Sequence, residues 1–245
     1  MHEVEKIFEV LKGGVFMIFI TGDTHGKYDI RKLNSKTFHD GRQLTKEDYV
    51  IITGDFGFLW FGNQEDDYWI KWFNKKPFTT LFVDGNHENF DLLNNYPIED
   101  WNGGKIHRIS NSVINLMRGQ VYAIDKYSFF TFGGAKSTDR EYRKEHISWW
   151  KEEMPSEEEY KEGLINLDNN NFEVDYIITH TCSSKTQQIL KRNFGKDRES
   201  TEINYYFDKI EEKVRYRHWF FGHNHLDEKI SENQTIVYNK VVKLV

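Results

Sequence analysis

A layered α/β domain is the fold class that this 245-residue chain predicts. Three observations carry the prediction. Short apolar runs, rich in β-branched and aromatic residues, recur along the chain, as expected of strands buried between layers. Helical patterns alternate with these runs. Several runs stop abruptly at Gly-Asp, Gly-Asn or His. Polar groups therefore collect just past strand carboxyl ends, the edge where sites form in such folds.

The first run, Val15 to Thr21, ends at Gly22-Asp23, and the second, Tyr49 to Thr53, ends at Gly54-Asp55. The third, Thr79 to Val83, is followed by Asp84-Gly85-Asn86-His87. The fourth, Tyr127 to Phe132, ends at Gly133-Gly134. The fifth, Asp175 to Thr179, ends at His180, and the sixth, His218 to Phe221, ends at Gly222-His223. Ser156 and Glu159, just after Pro155, form a capping-box pattern that opens a helix through about Leu167. Ile203, Phe207, Ile210 and Val214 recur at helical spacing and predict a helix near 202–214. The segment from Ile230 to the end predicts a hairpin and a last strand. No repeat or Pro/Ser-rich linker divides the chain, so 1–245 is read as one domain, with a cleft-shaping insertion at about 135–170. Residues 1–16 have two readings. One is a helix from Val4 to Leu11; the other is an extension upstream of a translation start at Met17, since Lys12-Gly13-Gly14 can be encoded by a purine-rich ribosome-binding sequence.

Composition excludes several classes. With 33 basic and 39 acidic residues the net charge is −6, so the chain is not a polyanion binder held by bulk positive charge. Hydrophobic residues make up 38% and aromatic ones 16%, enough for a core and against wholesale disorder. The lone Cys182 excludes an internal disulfide framework and a cysteine zinc cluster. No apolar run approaches a membrane span, and the start MHEVEKIFEV lacks the basic opening of a signal peptide. A cytoplasmic location is the expectation.

Five short motifs carry chemistry: Gly22-Asp23-Thr24-His25-Gly26, Gly54-Asp55, Gly85-Asn86-His87-Glu88, the strand-end His180, and Gly222-His223-Asn224-His225. They supply carboxylates, imidazoles and one amide oxygen, a mixture that suits Mn, Fe, Zn, Co or Ni over Ca. Asp23 and His25, like His223 and His225, are two apart, so on an extended segment they point to the same side. A carboxylate such as Asp55 can bridge two cations. Two metals about 4 Å apart clamp an in-line displacement at phosphorus, and water bound there becomes a nucleophile near neutral pH.

These motifs, in this order from Asp23 to His225, resemble the calcineurin-like metallophosphoesterase superfamily. The resemblance covers most of the chain. It implies a four-layer α/β/β/α sandwich with two mixed sheets and two divalent transition metal ions at one edge, manganese first among them. It implies one metal held by Asp23, His25, Asp55 and His225, and another by Asp55, Asn86, His180 and His223, with Asp55 bridging. It implies that His87 is not a ligand but faces the substrate, stabilises the phosphoryl oxygens together with Asn86, and protonates the leaving group, as an imidazole with a pKa near working pH can. Glu88 is read as a supporting or helix-start acid. His2, His39, His107, His146 and His218 are read as ordinary surface or core histidines.

The function expected is a two-metal phosphoesterase hydrolysing a phosphomonoester or phosphodiester. The second Gly-Asp continues as Phe56-Gly57-Phe58-Leu59-Trp60-Phe61, without the arginine that phosphoprotein phosphatases carry there. Phe58 and Trp60 in this aromatic loop can stack a nucleobase, which favours a nucleotide or other small organic phosphate; the alternative is that these rings are apolar packing. Arg140 and Lys136, in the inserted region, are candidate phosphate contacts. Trp149-Trp150 covers the cleft or fills a gap, and one of the two is expected to pack inward. Three other functions remain in view. A nuclease or RNA-repair phosphatase would use a patch at Lys191-Arg192, Lys196 and Arg198, although the net charge argues against long nucleic acid. A phosphoprotein phosphatase lacks its arginine. A catalytically silent interaction module is disfavoured because every expected metal and catalytic position is filled.

Overall fold

The computed structural model describes residues 16–245. The N-terminal helix and the alternative start both fall on residues 1–16, essentially outside the described residues. Among the described residues the chain forms thirteen strands. The first nine are β1 (Ile18–Thr21), β2 (Tyr49–Ile52), β3 (Thr79–Phe82), β4 (Ile98–Trp101), β5 (Gly104–Ser110), β6 (Val113–Leu116), β7 (Gln120–Ile124), β8 (Tyr127–Phe132) and β9 (Tyr176–Thr179). They are followed by β10 (His218–Phe221), β11 (Glu228–Ser231), β12 (Gln234–Ile236) and β13 (Val241–Lys243). Five α-helices accompany them: α1 (Gln64–Asn74), α2 (Phe90–Leu93), α3 (Glu157–Asn169), α4 (Ser184–Phe194) and α5 (Glu202–Lys213).

The strands make two mixed sheets, one in the order β13-β1-β2-β3-β6-β5-β4 and one in the order β11-β12-β10-β9-β8-β7. The central strands of each, β1-β2-β3-β6 and β8-β9-β10-β12, run parallel. Period-two alternation builds the layers. Ile18, Ile20, Ile51 and Leu81 of one sheet meet Phe129, Ile178 and Phe220 of the other in a shared core. Phe19, Val50, Ile52 and Phe82 point the other way, onto Phe73 of α1 and the ring of Phe78. Phe130, Ile177, Trp219 and Phe221 face Leu167, Leu190, Phe207 and Ile210 of α3, α4 and α5. The result is the α/β/β/α sandwich.

The expected capping box at Ser156 forms: its hydroxyl accepts from the Glu159 N–H, while Glu159 Oε2 accepts from the Ser156 N–H at 2.7 Å. The expected helix near 202–214 is α5, with Ile203, Phe207 and Ile210 buried. The hairpin β11–β12 and the last strand β13 also form, and β13 pairs antiparallel with β1. Both parallel blocks aim their carboxyl ends at one edge, where all five motifs lie.

Candidate metal centre

The loop after β2 is the hub. Asp55 is 1% exposed. Its Oδ2 lies 3.2 Å from His25 Nε2, and its Oδ1 lies 3.4 Å from His180 Nε2. The same Oδ1 accepts the His87 N–H at 2.7 Å. Asp23, fully buried, has Oδ2 at 3.3 Å from His225 Nε2 and accepts the His223 N–H on both oxygens at 3.1 Å. Asn86 Oδ1 sits 3.1 Å from His180 Nε2. Three groups place their ligand atoms within 4.8 Å of one another: Asp23, His25 and His225; Asp23, Asp55 and His180; and His25, Asp55 and His87. His223 joins none of the three; its ring packs 4.9 Å from that of His180.

Backbone geometry explains the short motifs. His25, Asp55, His223 and His225 all adopt positive φ, at 44°, 48°, 67° and 51°. Non-glycine residues rarely take that conformation, and such strain concentrates at functional sites. The glycines beside the ligands make room for other motifs. A Cβ on Gly54, itself at φ 109°, would sit 2.1 Å from His180 Nδ1, and one on Gly85 would sit 2.1 Å from Asp55 Oδ1.

Supporting groups orient these candidate ligands, as metal sites require. His25 Nδ1 bonds Asp29 Oδ2 at 2.8 Å and His180 Nδ1 donates to Thr53 O at 2.9 Å, each leaving Nε2 toward the carboxylates. Glu88, 2% exposed, accepts the Phe56 and Gly57 N–H groups at 2.6 and 3.1 Å and so braces the Asp55 loop. The buried ammonium of Lys32 donates to the carbonyls of Gly22, Asp23 and Tyr238. Desolvation lowers its pKa to about 8. The inserted region reaches the centre too. Asn86 Nδ2 donates to Ser137 Oγ at 3.1 Å, and Ser137 donates to the fully buried Glu153 at 2.6 Å. This chain fixes which end of the amide faces His180. Ser137→Ala is expected to weaken metal binding by about 10-fold or more, measured by manganese titration; unchanged affinity would leave Asn86 oriented by other contacts.

The electrostatics fit divalent cations. Burial opposes ionisation of Asp55, but the facing His180, His87 and His25 hold its carboxyl well below the usual range. Burial likewise opposes ionisation of Asp23, whose carboxyl is lowered by the bond to His225 and the charge of His180. Among the described residues, only histidines pair with these two carboxylates. Two buried, ionised carboxylates, ringed by imidazoles and an amide oxygen with no thiolate, are a donor set for intermediate transition metals. Burial holds His87 below its ordinary pKa; Arg143, His25 and His180 push the same way and Asp55 opposes. Arg143 Nη1 lies 3.2 Å from His87 Nδ1. An arginine can only donate, so Nδ1 accepts and Nε2 carries the imidazole proton.

The substrate expectations need correction. Phe58 is 2% exposed, enclosed by Phe56, Trp69 and Phe73. It forms part of the wall of a groove but belongs to the core beneath α1, so apolar packing accounts for it. Phe58→Ala is expected to cost about 3–5 kcal/mol of stability, read by chemical denaturation; a loss under 1 kcal/mol would return Phe58 to the surface. Trp60 is half-buried, lines the groove and packs edge-on against Trp150. Arg140 is paired with the buried Glu153 and stacked over Trp149, so its charge is already matched. The arginines that line the cavity over Asp55 and Asn86 are Arg143 and Arg198. Trp150 packs inward as expected, at 1% exposure, with Nε1 bonded to Asp91. The basic patch at 191–198 does not assemble: Lys191 pairs with Asp197, and Arg198 turns inward to Asn224.

A four-layer sandwich with this edge defines a class. The family model for calcineurin-like phosphoesterases matches residues 16–227. The chain belongs to that family, and is a metal-dependent phosphoric ester hydrolase of a binuclear-metal fold. No curated protein matches it in a sequence search. Among the described residues, no helix is long and apolar enough to cross a membrane.

Proposed function

We propose that the protein hydrolyses a small organic phosphate ester, a nucleotide or a compound of similar size, with two divalent cations at the edge formed by Asp23, His25, Asp55, Asn86, His180, His223 and His225. The observation that carries this reading is the convergence of five strand-end loops from both sheets on the paired carboxylates of Asp23 and Asp55. Asp23, His25, Asp55 and His225 would hold one cation, and Asp55, Asn86, His180 and His223 the other, with Asp55 shared. When bound, the pair supplies Lewis acidity, lowering the pKa of water and offsetting charge on the phosphoryl oxygens. Manganese suits the imidazole, carboxylate and amide donors.

The remaining chemistry belongs to the side chains. Arg143 and Arg198 meet phosphoryl oxygens in the cavity of about 160 Å³ beside His87. His87, with its proton on Nε2, donates a hydrogen bond to the negative charge that develops on the leaving oxygen. The groove of about 410 Å³ that begins at His87 is walled by Tyr28, Trp60, Phe61 and Trp69 and accepts a flat leaving group. The test is manganese-supplemented hydrolysis of p-nitrophenyl phosphate and bis-p-nitrophenyl phosphate. Turnover of either ester supports the reading. Silence on both, by protein that carries two metals per chain, overturns the generic activity, and silence with no metal bound overturns the metal centre.

A further inference from the structure

The cavity at the metal centre opens into two separate spaces of different chemistry. One is the aromatic groove, which meets the cavity at His87. The other is a polar cleft of about 420 Å³ that meets it at Ser137, Thr138, Arg198 and His223. The two spaces share no residue. The cleft is walled by Lys136, Thr138, Gln187, Arg198, Glu141 and Glu199 among others, which offer hydroxyl, amide, cationic and anionic groups.

Arg198 stands where cleft and cavity join. It is half-buried, its Nε donates to Asn224 Oδ1 at 3.1 Å, and Nη2 reaches the His223 carbonyl at 3.4 Å. No carboxylate pairs with it among the described residues, whereas Arg140 is matched by Glu153, Arg143 by Asp139 and Lys136 by Glu199. A half-buried guanidinium with no salt-bridge partner keeps hydrogen-bond capacity for an anion. Asn224, which holds it, is buried and keeps Nδ2 without a partner.

A phosphomonoester carries one substituent and can use one opening. A diester carries two and can use both. We propose, resting on the phosphoesterase reading above, that the substrate is a phosphodiester spanning the site, with a flat aromatic leaving half in the groove beside His87 and a polar, hydroxyl-bearing retained half in the cleft beside Arg198. Water adds its oxygen to phosphorus and the P–O bond on the groove side breaks. One proton of that water ends on the leaving alcohol and the other is released to solvent. The retained half departs through the cleft as a phosphomonoester, and its second negative charge is met by Arg198.

The experiment compares thymidine 5′-(p-nitrophenyl phosphate) with p-nitrophenyl phosphate on the manganese-loaded full chain. Both release the same group and differ only in the retained half. The expected kcat/KM is at least 10-fold higher for the diester. Lys136→Met, in the cleft wall and outside the phosphoryl cavity, is expected to reduce that ratio at least 3-fold, whereas Arg198→Gln, at a position that faces the phosphoryl group of both esters, lowers kcat/KM for both. Calorimetry gives an independent readout: thymidine 5′-monophosphate should bind at least 10-fold more tightly than inorganic phosphate, an advantage that Lys136→Met reduces. A kcat/KM ratio at or below one, a ratio unmoved by Lys136→Met, or equal affinity for the two anions overturns the spanning diester. Absence of turnover on both esters overturns instead the phosphoesterase reading on which it rests.

Discussion

Asp55→Asn is expected to lose metal and activity together, with turnover falling about 10³-fold and bound manganese falling below that of the parent in elemental analysis. The change keeps the shape of the side chain and removes its charge. That charge faces three imidazoles, His25, His180 and His87, on a carboxylate that is itself buried. It also anchors the loop after β3 through the His87 N–H. An amide can accept that bond but cannot offer two equivalent anionic oxygens to two cations. Retention of both metals with full turnover would remove Asp55 from the centre. Retention of metal with lost turnover would instead limit its role to placing His87.

His87→Ala is expected to separate the two functions that Asp55 joins. The protein should keep its metals and lose about 10²–10⁴-fold in kcat. The loss should be largest for esters with poor leaving groups, because those build the most negative charge on the leaving oxygen in the transition state. The measurement is kcat across a series of leaving-group pKa values, with metal content determined on the same samples. His87 is close enough to His25 and Asp55 to donate to a metal, so the metal assay decides between hydrogen-bond donor and ligand. Loss of metal would make it a ligand, and undiminished kcat throughout the series would leave it with neither role.

Much of the fold was legible because its central strands are doubly buried. β1, β2, β3, β9 and β10 read as continuous apolar runs, since one face meets the other sheet and the opposite face meets helices. Strands β4 and β5 escape that reading. β4 is the edge strand and β5 lies next to it, and Ile98–Trp101 alternates exposed Ile98 and Asp100 with half-buried Glu99 and Trp101. Helix α4 buries Ser184, Thr186 and Gln187 beside Leu190, and α1 buries Asp66 beside Phe73. A polar buried face leaves no hydrophobic period to read.

The chain by itself determined the chemistry: which carboxylates, imidazoles and amide stand at strand ends, and that a glycine opens four of the five motifs. Those are local properties, set by the strand, the turn and the room that a missing Cβ provides at Gly54 and Gly85. Only the tertiary structure decided which groups surround that chemistry. Asp29, Ser137, Glu153, Arg143 and Arg198 reach the centre from loops whose sequences carry no motif. Arg140 and Arg198 look alike in sequence, yet one meets a buried glutamate and the other meets none. A charge's role depends on what is packed against it, and that is settled by contacts between residues far apart in the chain.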